Sequence, residues 1–404
     1  MHNKKIKLGC YITNISMSVV SCLSPILFTT FHELYGISFS LLGLLIFINF
    51  ITQLIIDLFF TFMSKYFNIS KIVKTIPIIT ITGFLIYALV PLILPEQAYV
   101  GLVIGTIVFS ASAGLNEVLA SPIIAALPSD NKEKDMSFLH ATYGFGLVGF
   151  VLLGTIFLHF VGTQNWMYLP IICSIIPLLA CVMFRRTVLP ALDNTSKNEN
   201  TSPKFSSGIL LCALLIFFCG ATECTMTQWS SSFVETGLGV SKVLGDLLGT
   251  LLFALMLTFG RTIYSRIGKN IYKVMLLSLT FAIVSYLAAT LIQNQIISLF
   301  ACIITGLCVS MLWPGTIIIL GDKYPKANVS AYALMASAGD LGGAIIPYLV
   351  GIIVDKLTLN NFHLFGATVE QSAMKGGLLF ATIFPLLGLI TLIAILIYFK
   401  RKKV

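Results

Sequence analysis

Long apolar stretches alternate with short polar ones along the whole chain. Twelve of the apolar stretches are long enough for a helix that crosses the hydrocarbon core of a bilayer, which takes roughly 20 residues. The predicted spans are 8–34, 39–64, 74–94, 98–127, 138–161, 166–184, 207–235, 241–260, 272–292, 296–321, 328–355 and 375–399. The pattern therefore predicts an all-α membrane protein with twelve transmembrane helices.

The longest polar interval separates six predicted spans from the other six. We expect an N-terminal six-helix bundle at 1–184, a linker at 185–206 and a C-terminal six-helix bundle at 207–404, because the linker is too short to bury a core of its own. The halves also repeat at an offset of 202 residues, which predicts pseudo-symmetric bundles. The repeated residues are Phe31, Glu33, Leu42 and Gly43, then Phe233, Glu235, Leu244 and Gly245.

Composition narrows the class of protein. The chain is 57% hydrophobic and only 10% charged, whereas soluble domains are roughly 25% charged. All nine cysteines lie in apolar runs without C-x-x-C spacing, so we interpret them as small buried hydrophobes and predict no metal or redox role. No Ser/His/Asp set, metal-ligand cluster or phosphate-binding loop stands out, so we expect neither an enzyme nor a cofactor.

Positive charge predicts the orientation. The net charge is +9, and 22 of the 25 Lys and Arg residues fall on the side of the N-terminus. The positive-inside rule then puts both termini and the linker in the cytoplasm, and the chain in the cytoplasmic membrane. Because these charges are dispersed over short loops, we expect no nucleic-acid partner. The expected partners are the lipid bilayer, a small solute and protons, and we expect the chain to act as a monomer.

Three acids lie far from the ends of their predicted spans. Glu117 is the single charge in the apolar run 99–127, and Glu223 and Asp340 lie within the seventh and eleventh spans. An acid at the bilayer centre costs roughly 2.5 to 3.5 kcal/mol on insertion scales, so such residues usually mark an ion or substrate route. We predict that all three are candidates for proton coupling. Glu117 is the first choice and Glu223 the second. With the proton bound, the loaded halves can rock at little electrostatic cost, whereas the empty ionised carboxylate would resist closure.

The predicted span interiors contain no Lys or Arg, and Glu235 and Asp246 lie nearer span ends, where we expect them to be interfacial. Without a cation to pair with it, an anionic substrate is disfavoured and a neutral sugar or polyol fits better. Amide side chains can bond hydroxyls, and flat rings with a polar edge can pack on a sugar face. The candidate substrate-binding residues are Asn49, Asn116, His140, Tyr143, Gln228, Trp229 and Trp313.

The loop after the eighth span carries a spaced motif of glycine and basic residues. It begins at Gly260 and continues with Arg266, Gly268 and Lys269, and it resembles the loop signature G-x-x-x-D-R-x-G-R-[KR] of the major facilitator superfamily. Ser265 replaces the signature's acid. The superfamily resemblance implies two six-helix halves around a central cavity and transport by alternating access. The candidate gating residues are Lys65, Gly260, Arg261, Arg266, Gly268 and Lys269.

Within that superfamily the chain is most similar to the fucose permease group of sugar:proton symporters. The similarity is carried by Ala113–Glu117 followed by Ser121-Pro122, by Leu139–Ala141, and by Gly220–Glu223 followed by Trp229. The group's acid early in span one is absent, because Ser24-Pro25-Ile26-Leu27 stands there, so fucose itself is not implied. The resemblance implies a proton-coupled transporter of a small neutral solute.

Two other functions remain open. Three membrane acids without a base also suit a proton-driven exporter of cationic amphiphiles or drugs. A membrane sensor or scaffold that transports nothing is the other alternative.

Overall fold

The computed structural model describes residues 2–63, 66–128, 132–190, 206–267, 270–324, 329–364 and 367–401. Within these ranges the chain is helical and contains no strand. The α-helices are α1 (His2–Ile26), α2 (Phe28–Tyr35), α3 (Phe39–Met63), α4 (Ile69–Ile93), α5 (Ala98–Ala126), α6 (Lys132–Val161), α7 (Tyr168–Cys173), α8 (Ile175–Phe184), α9 (Ser207–Ser232), α10 (Lys242–Leu244), α11 (Leu252–Ile267), α12 (Ile271–Leu291), α13 (Gln295–Val309), α14 (Leu312–Lys323), α15 (Val329–Leu359), α16 (Val369–Ala381) and α17 (Ile383–Arg401). Two π-helical segments, Phe233–Gly237 and Gly245–Leu251, flank α10.

The helices account for the predicted spans. Eleven helical stretches of the described residues are long and apolar enough to cross a membrane. The predicted sixth span, 166–184, is present as the consecutive shorter helices α7 and α8. The predicted all-α, multi-pass membrane fold is therefore confirmed.

Prolines explain three of the breaks that divide a predicted span into two α-helices; a fourth break, at Leu27, separates α1 from α2. The three breaks fall at Ser174, at Ser310-Met311 and at Thr382, and a proline follows each one within about a turn. Proline has no backbone N–H, so it cannot donate to the carbonyl four residues earlier. The helix loses that hydrogen bond and turns. The prolines are Pro177, Pro314 and Pro385.

Side-chain caps fix several helix starts. Asn68 accepts from the Lys71 backbone N–H and begins α4, and Asn294 caps α13 in the same way. Thr368 and Gln371 form a reciprocal capping box at α16. Each cap satisfies a backbone donor that has no partner within the helix.

The chain packs into two compact units. Unit 1 contains 1–30 and 48–202, and unit 2 contains 31–47 and 203–404. The stretch 31–47 thus groups with unit 2, although it precedes the predicted linker. One reason is Ser40, whose backbone N–H donates to Asp355 Oδ2 at 2.8 Å.

Small residues let the helices of unit 1 approach closely. A Cβ on Gly83 of α4 would lie 2.5 Å from the backbone nitrogen of Phe109 in α5. Likewise, a Cβ on Gly105 of α5 would lie 2.6 Å from the Tyr87 side chain. The Tyr87 hydroxyl in turn lies 2.9 Å from the Ser24 hydroxyl of α1. Glycine at helix contacts is a general device of membrane proteins, where packing and not hydrophobicity drives helix association.

In unit 2, α9 and α15 make a similar contact. A Cβ on Gly220 of α9 would lie 2.5 Å from the Gly339 carbonyl oxygen of α15. Further along the same pair of helices, the Trp229 indole N–H donates to the Pro347 carbonyl at 3.0 Å. This contact positions the face of α9 that carries Glu223.

Candidate functional site

Glu117 lies on α5 beside a second acid of unit 1. A carboxylate oxygen of Asp57, on α3, lies within 4.8 Å of one of Glu117. Glu117 is half-buried and Asp57 is 5% exposed. Among the described residues, no Lys or Arg forms an ion pair with Glu117. Two carboxylates this close in a poorly solvated place disfavour double ionisation.

Gly114 brings the two acids together. A Cβ at this position of α5 would lie 3.0 Å from Asp57 Oδ1 and 3.1 Å from the Gln53 Cα of α3. Any larger side chain would push the helices apart. Sequence reasoning missed Asp57 as a site residue, although an acid inside the apolar run 39–64 was a signal that could have found it.

A network of buried amides extends from Asn116, the residue before Glu117, through unit 1. Asn116 Nδ2 donates to Asn14 Oδ1 at 3.3 Å. Asn14 Nδ2 donates to the Leu139 carbonyl at 2.7 Å and to the Thr142 hydroxyl at 3.1 Å. These contacts join α1, α5 and α6.

Asn49 belongs to a second buried group. Its Oδ1 accepts from Gln53 Nε2 at 2.8 Å and from the Ser110 hydroxyl at 2.7 Å. Asn49 is 6% exposed, so contact with a solute requires this pair of hydrogen bonds to rearrange.

Asn116 also lines a cavity of about 10 Å³ within unit 1, together with Thr13 and Phe184. Small-molecule pockets usually measure roughly 300 to 1,000 Å³. The cavity is therefore too small to enclose a sugar by itself.

The second predicted acid, Glu223, is held by a cation. Arg261 Nη2 of α11 donates to Glu223 Oε1 of α9 at 2.6 Å, and Arg261 Nε donates to the Ser310 carbonyl at 3.0 Å. The side chains are 12% and 32% exposed for Glu223 and Arg261. The predicted span interiors contain no Lys or Arg, but a cation still reaches the interior of α9, because the long Arg261 side chain extends from near the end of α11 to Glu223.

Asp246, which we expect near the interface from its place at a span end, is buried within unit 2. Asp246 is 1% exposed in the π-helical segment Gly245–Leu251. Its carboxylate accepts from the Ser231 hydroxyl and lies 3.6 Å from the ammonium of Lys242. Lys242 also lies 3.9 Å from Glu235. A π-helical segment of this kind often marks a functional site.

The remaining candidates separate into packing residues and accessible ones. Trp229 is 0% exposed and uses its indole N–H within unit 2, so we assign it to the core of that unit and not to solute contact. Gln228 and Asp340 are buried, whereas Trp313 and Tyr143 are half-buried.

The gating candidates differ in their surroundings. Gly260 packs closely against Ser310, which leaves no room for a side chain, and Arg266 is exposed. Lys65, Gly268 and Lys269 lie outside the described residues, as does the side chain of His140.

The described residues combine buried acids on apolar helices with networks of amides and one arginine. These features are typical of a multi-pass membrane transporter. The chain belongs to the Major Facilitator Superfamily, whose family model matches residues 10–347 and 236–404. This confirms the resemblance seen in the loop after the eighth span. Because the family consists of transporters, it also confirms that the protein is not an enzyme.

Known proteins similar to the chain include several named as sugar transporters. The glucose/mannose transporter GlcP of Bacillus subtilis (strain 168) is 22% identical over 261 residues, which cover 61% of this chain and 64% of that protein. A D-xylose-proton symporter structure matches with a TM-score of 0.79 at 16% identity, covering 98% of this chain and 97% of its own. The E. coli fucose:proton symporter FucP matches with a TM-score of 0.62 at 14% identity, covering 97% and 99%. At these identities the structural matches show a shared fold.

Proposed function

We propose that this protein is a secondary active transporter that moves a neutral sugar or polyol across the cytoplasmic membrane by alternating access, coupled to protons through Glu117. The protein would bind solute and proton together, release both on the other side and return empty. The coupling follows if the empty carrier with an ionised Glu117 resists the transition, because a bare carboxylate is costly in a low-dielectric interior.

One observation carries the proton coupling: Glu117 lies beside Asp57 and forms no ion pair with a described cation. A carboxyl with a like-charged neighbour is stabilised in its neutral form, so it takes up a proton readily and changes charge during a cycle. Asn116, the adjacent residue, bonds Asn14. Through this contact, protonation of Glu117 can alter the packing of α1 against α5.

The chemistry of the described residues supports a neutral polyhydroxyl solute. Amides at Asn116 and Gln228 offer donors and acceptors, and Trp313 offers a half-buried indole face. The similar proteins named above are transporters of glucose and mannose, of xylose and of fucose, which supports the same solute class.

Uptake into proteoliposomes tests the proposal. Radiolabelled glucose, mannose, xylose and fucose are offered separately, with and without an imposed inward proton gradient. We expect at least one to accumulate above equilibrium with the gradient and to lose that accumulation with a protonophore. Equilibration at the same level under both conditions would contradict coupling. Gradient-driven extrusion of ethidium with no sugar uptake would favour the exporter instead.

We also propose that both termini and the 185–206 linker face the cytoplasm. Single cysteines at Asn198 and Asn360 test this orientation in intact cells, with the native cysteines replaced. Asn360 is preferred over its neighbour Asn361, whose φ of 48° suits asparagine better than cysteine. An impermeant maleimide should label Asn360→Cys only, and labelling of Asn198→Cys in intact cells would overturn the orientation.

A further inference from the structure

The break between α13 and α14 leaves a backbone carbonyl without its helical donor. The Ser310 carbonyl would normally accept from the N–H of residue 314, but Pro314 has none. Instead it accepts from Arg261 Nε at 3.0 Å. The proline that breaks the tenth span thus creates the acceptor that Arg261 of α11 occupies.

The same guanidinium holds Glu223. Arg261 Nη2 donates to Glu223 Oε1 at 2.6 Å. Because Nε and Nη2 lie along one edge of a rigid plane, their two acceptors must stand side by side. Arg261 therefore fixes the Glu223 carboxylate next to the helix break. A lysine has a single ammonium on a flexible stem and cannot set both acceptors in this arrangement.

Trp313 lies at the same break. Its indole covers two glycines, since a Cβ on Gly220 would lie 3.0 Å from Trp313 Cζ3 and a Cβ on Gly339 would lie 2.5 Å from Cη2. Gly220 is three residues before Glu223 and shares its face of α9. The indole ring and the carboxylate are consequently neighbours along one helix face of unit 2.

Both groups keep capacity for a ligand. Trp313 is half-buried, so part of its ring is accessible. Glu223 Oε2 is buried, and no described residue donates a well-formed hydrogen bond to it, although the Trp313 backbone N–H interacts with the same carboxylate. A carboxylate has room for about four hydrogen bonds, so Glu223 retains acceptor sites after its contact with Arg261. A hydroxyl that donates to Oε2 and a sugar ring that packs on the indole would use both.

We propose that Arg261 is a specificity-determining positioning residue. It donates hydrogen bonds to both Glu223 and the Ser310 carbonyl, and so presents the Glu223 carboxylate and the Trp313 indole as one surface that contacts the sugar. This inference rests on the proposed sugar transport. It also separates the two acids: Glu223, paired with Arg261, accepts hydrogen bonds from the solute, and Glu117 carries the proton. Under this proposal Glu223 is no longer a candidate for the proton carrier.

The test uses Arg261→Lys, which keeps the charge and removes the two-acceptor geometry, in full-length protein reconstituted in liposomes. Thr262→Ala is the matched control, because Thr262 is adjacent and exposed and its hydroxyl bonds the Thr258 carbonyl of its own helix. Sugar counterflow, which needs no proton gradient, gives KM and maximal rate separately. We expect Arg261→Lys to raise KM at least tenfold with the maximal rate within threefold, and Thr262→Ala to match the wild type.

A second variant keeps the inference testable if Arg261→Lys does not fold. Glu223→Gln retains the shape and removes the charge. We expect a KM raised at least fivefold and an unchanged accumulation ratio at saturating sugar. Loss of accumulation in Glu223→Gln would overturn the inference, as would an unchanged KM in Arg261→Lys. Failure of the wild type to exchange any of the four sugars would instead overturn the proposed function, and this inference with it.

Discussion

Glu117 in unit 1 and Glu223 in unit 2 have the same side chain and similar apolar sequence around them, but their neighbours differ in sign. Glu117 lies within 4.8 Å of the Asp57 carboxylate, whereas Glu223 is 2.6 Å from Arg261. Two unit charges about 4 Å apart interact by about 4 kcal/mol at an effective dielectric constant of 20. In our proposal the sign of the neighbouring charge separates the roles of the two acids: Glu117 accepts a proton, and Glu223 pairs with Arg261. The comparison teaches that two acids in similar apolar sequence can differ in their nearest charge, which their sequence context does not show.

We expect the largest effect when the ionisable group of Glu117 is removed. Glu117→Gln mimics the protonated acid, so proton-gradient-driven accumulation should be abolished while counterflow continues within a few-fold of wild type. Asp57→Asn leaves Glu117 able to titrate and should reduce accumulation only in part. Measuring both activities in the same liposomes checks this. If accumulation survives in Glu117→Gln and is lost in Asp340→Asn, the role of proton carrier belongs to Asp340 and not to Glu117.

A somewhat smaller effect is expected at Gly114, which permits the contact between the acids. Gly114→Val would place side-chain atoms against Asp57 and Gln53, and overpacking of this kind costs about 1 to 3 kcal/mol. We expect a lower melting temperature and a severalfold loss of accumulation. Gly149→Val is a suitable control, because no atom lies within 4 Å of a Cβ built there. Equal behaviour of the two variants would contradict close packing of α3 and α5.

Asn116 should give a moderate effect. Asn116→Ala removes the hydrogen bond to Asn14 Oδ1, and a net hydrogen bond contributes about 1 kcal/mol. We expect KM for the transported sugar to rise about fivefold, consistent with that energy. Thr155→Ala, which removes a hydroxyl bonded only within its own helix to the Val151 carbonyl, is the control. A KM within twofold of the wild type in Asn116→Ala would show that the hydrogen-bond network around Asn116 does not contribute to solute binding.

The smallest effect is expected at Arg266, which is exposed on α11. As a gating residue it biases one of two helix packings, so Arg266→Ala should slow turnover about two- to threefold and leave sugar affinity unchanged. Comparison with Arg261→Lys sharpens the contrast, since that variant should change affinity first. Stopped-flow counterflow measures both quantities. Unchanged turnover in Arg266→Ala would show that this residue has no gating role and that its charge serves only the orientation of the chain in the membrane.

Hydrophobic patterning was sufficient to predict the spans, because each needs a long apolar run and few other structures satisfy that condition. The three helix breaks were readable in principle from Pro177, Pro314 and Pro385. The division of the chain at 31–47 was not, since it depends on contacts such as Ser40 with Asp355. Long-range contacts of this kind leave no periodic signal.

The candidate site was only partly predictable. Glu117, Glu223 and Trp313 stood out as polar or aromatic residues in apolar runs, but Arg261 was placed in a loop motif by its spacing. Its reach to Glu223 depends on the length of its side chain and on the carbonyl freed by Pro314. Asp57 was overlooked because its role follows from the close helix approach at Gly114. Neither contact follows from the neighbouring sequence.

Proton movement on addition of sugar tests the central claim most directly. Liposomes containing wild-type protein and a trapped pH dye, with no imposed gradient, receive sugar on the outside while membrane potential is clamped with valinomycin and potassium. Symport through Glu117 predicts that the lumen acidifies as sugar enters, that Glu117→Gln imports sugar without acidification, and that Glu223→Gln still acidifies at saturating sugar. Sugar entry by the wild type with no change in lumenal pH would contradict the account.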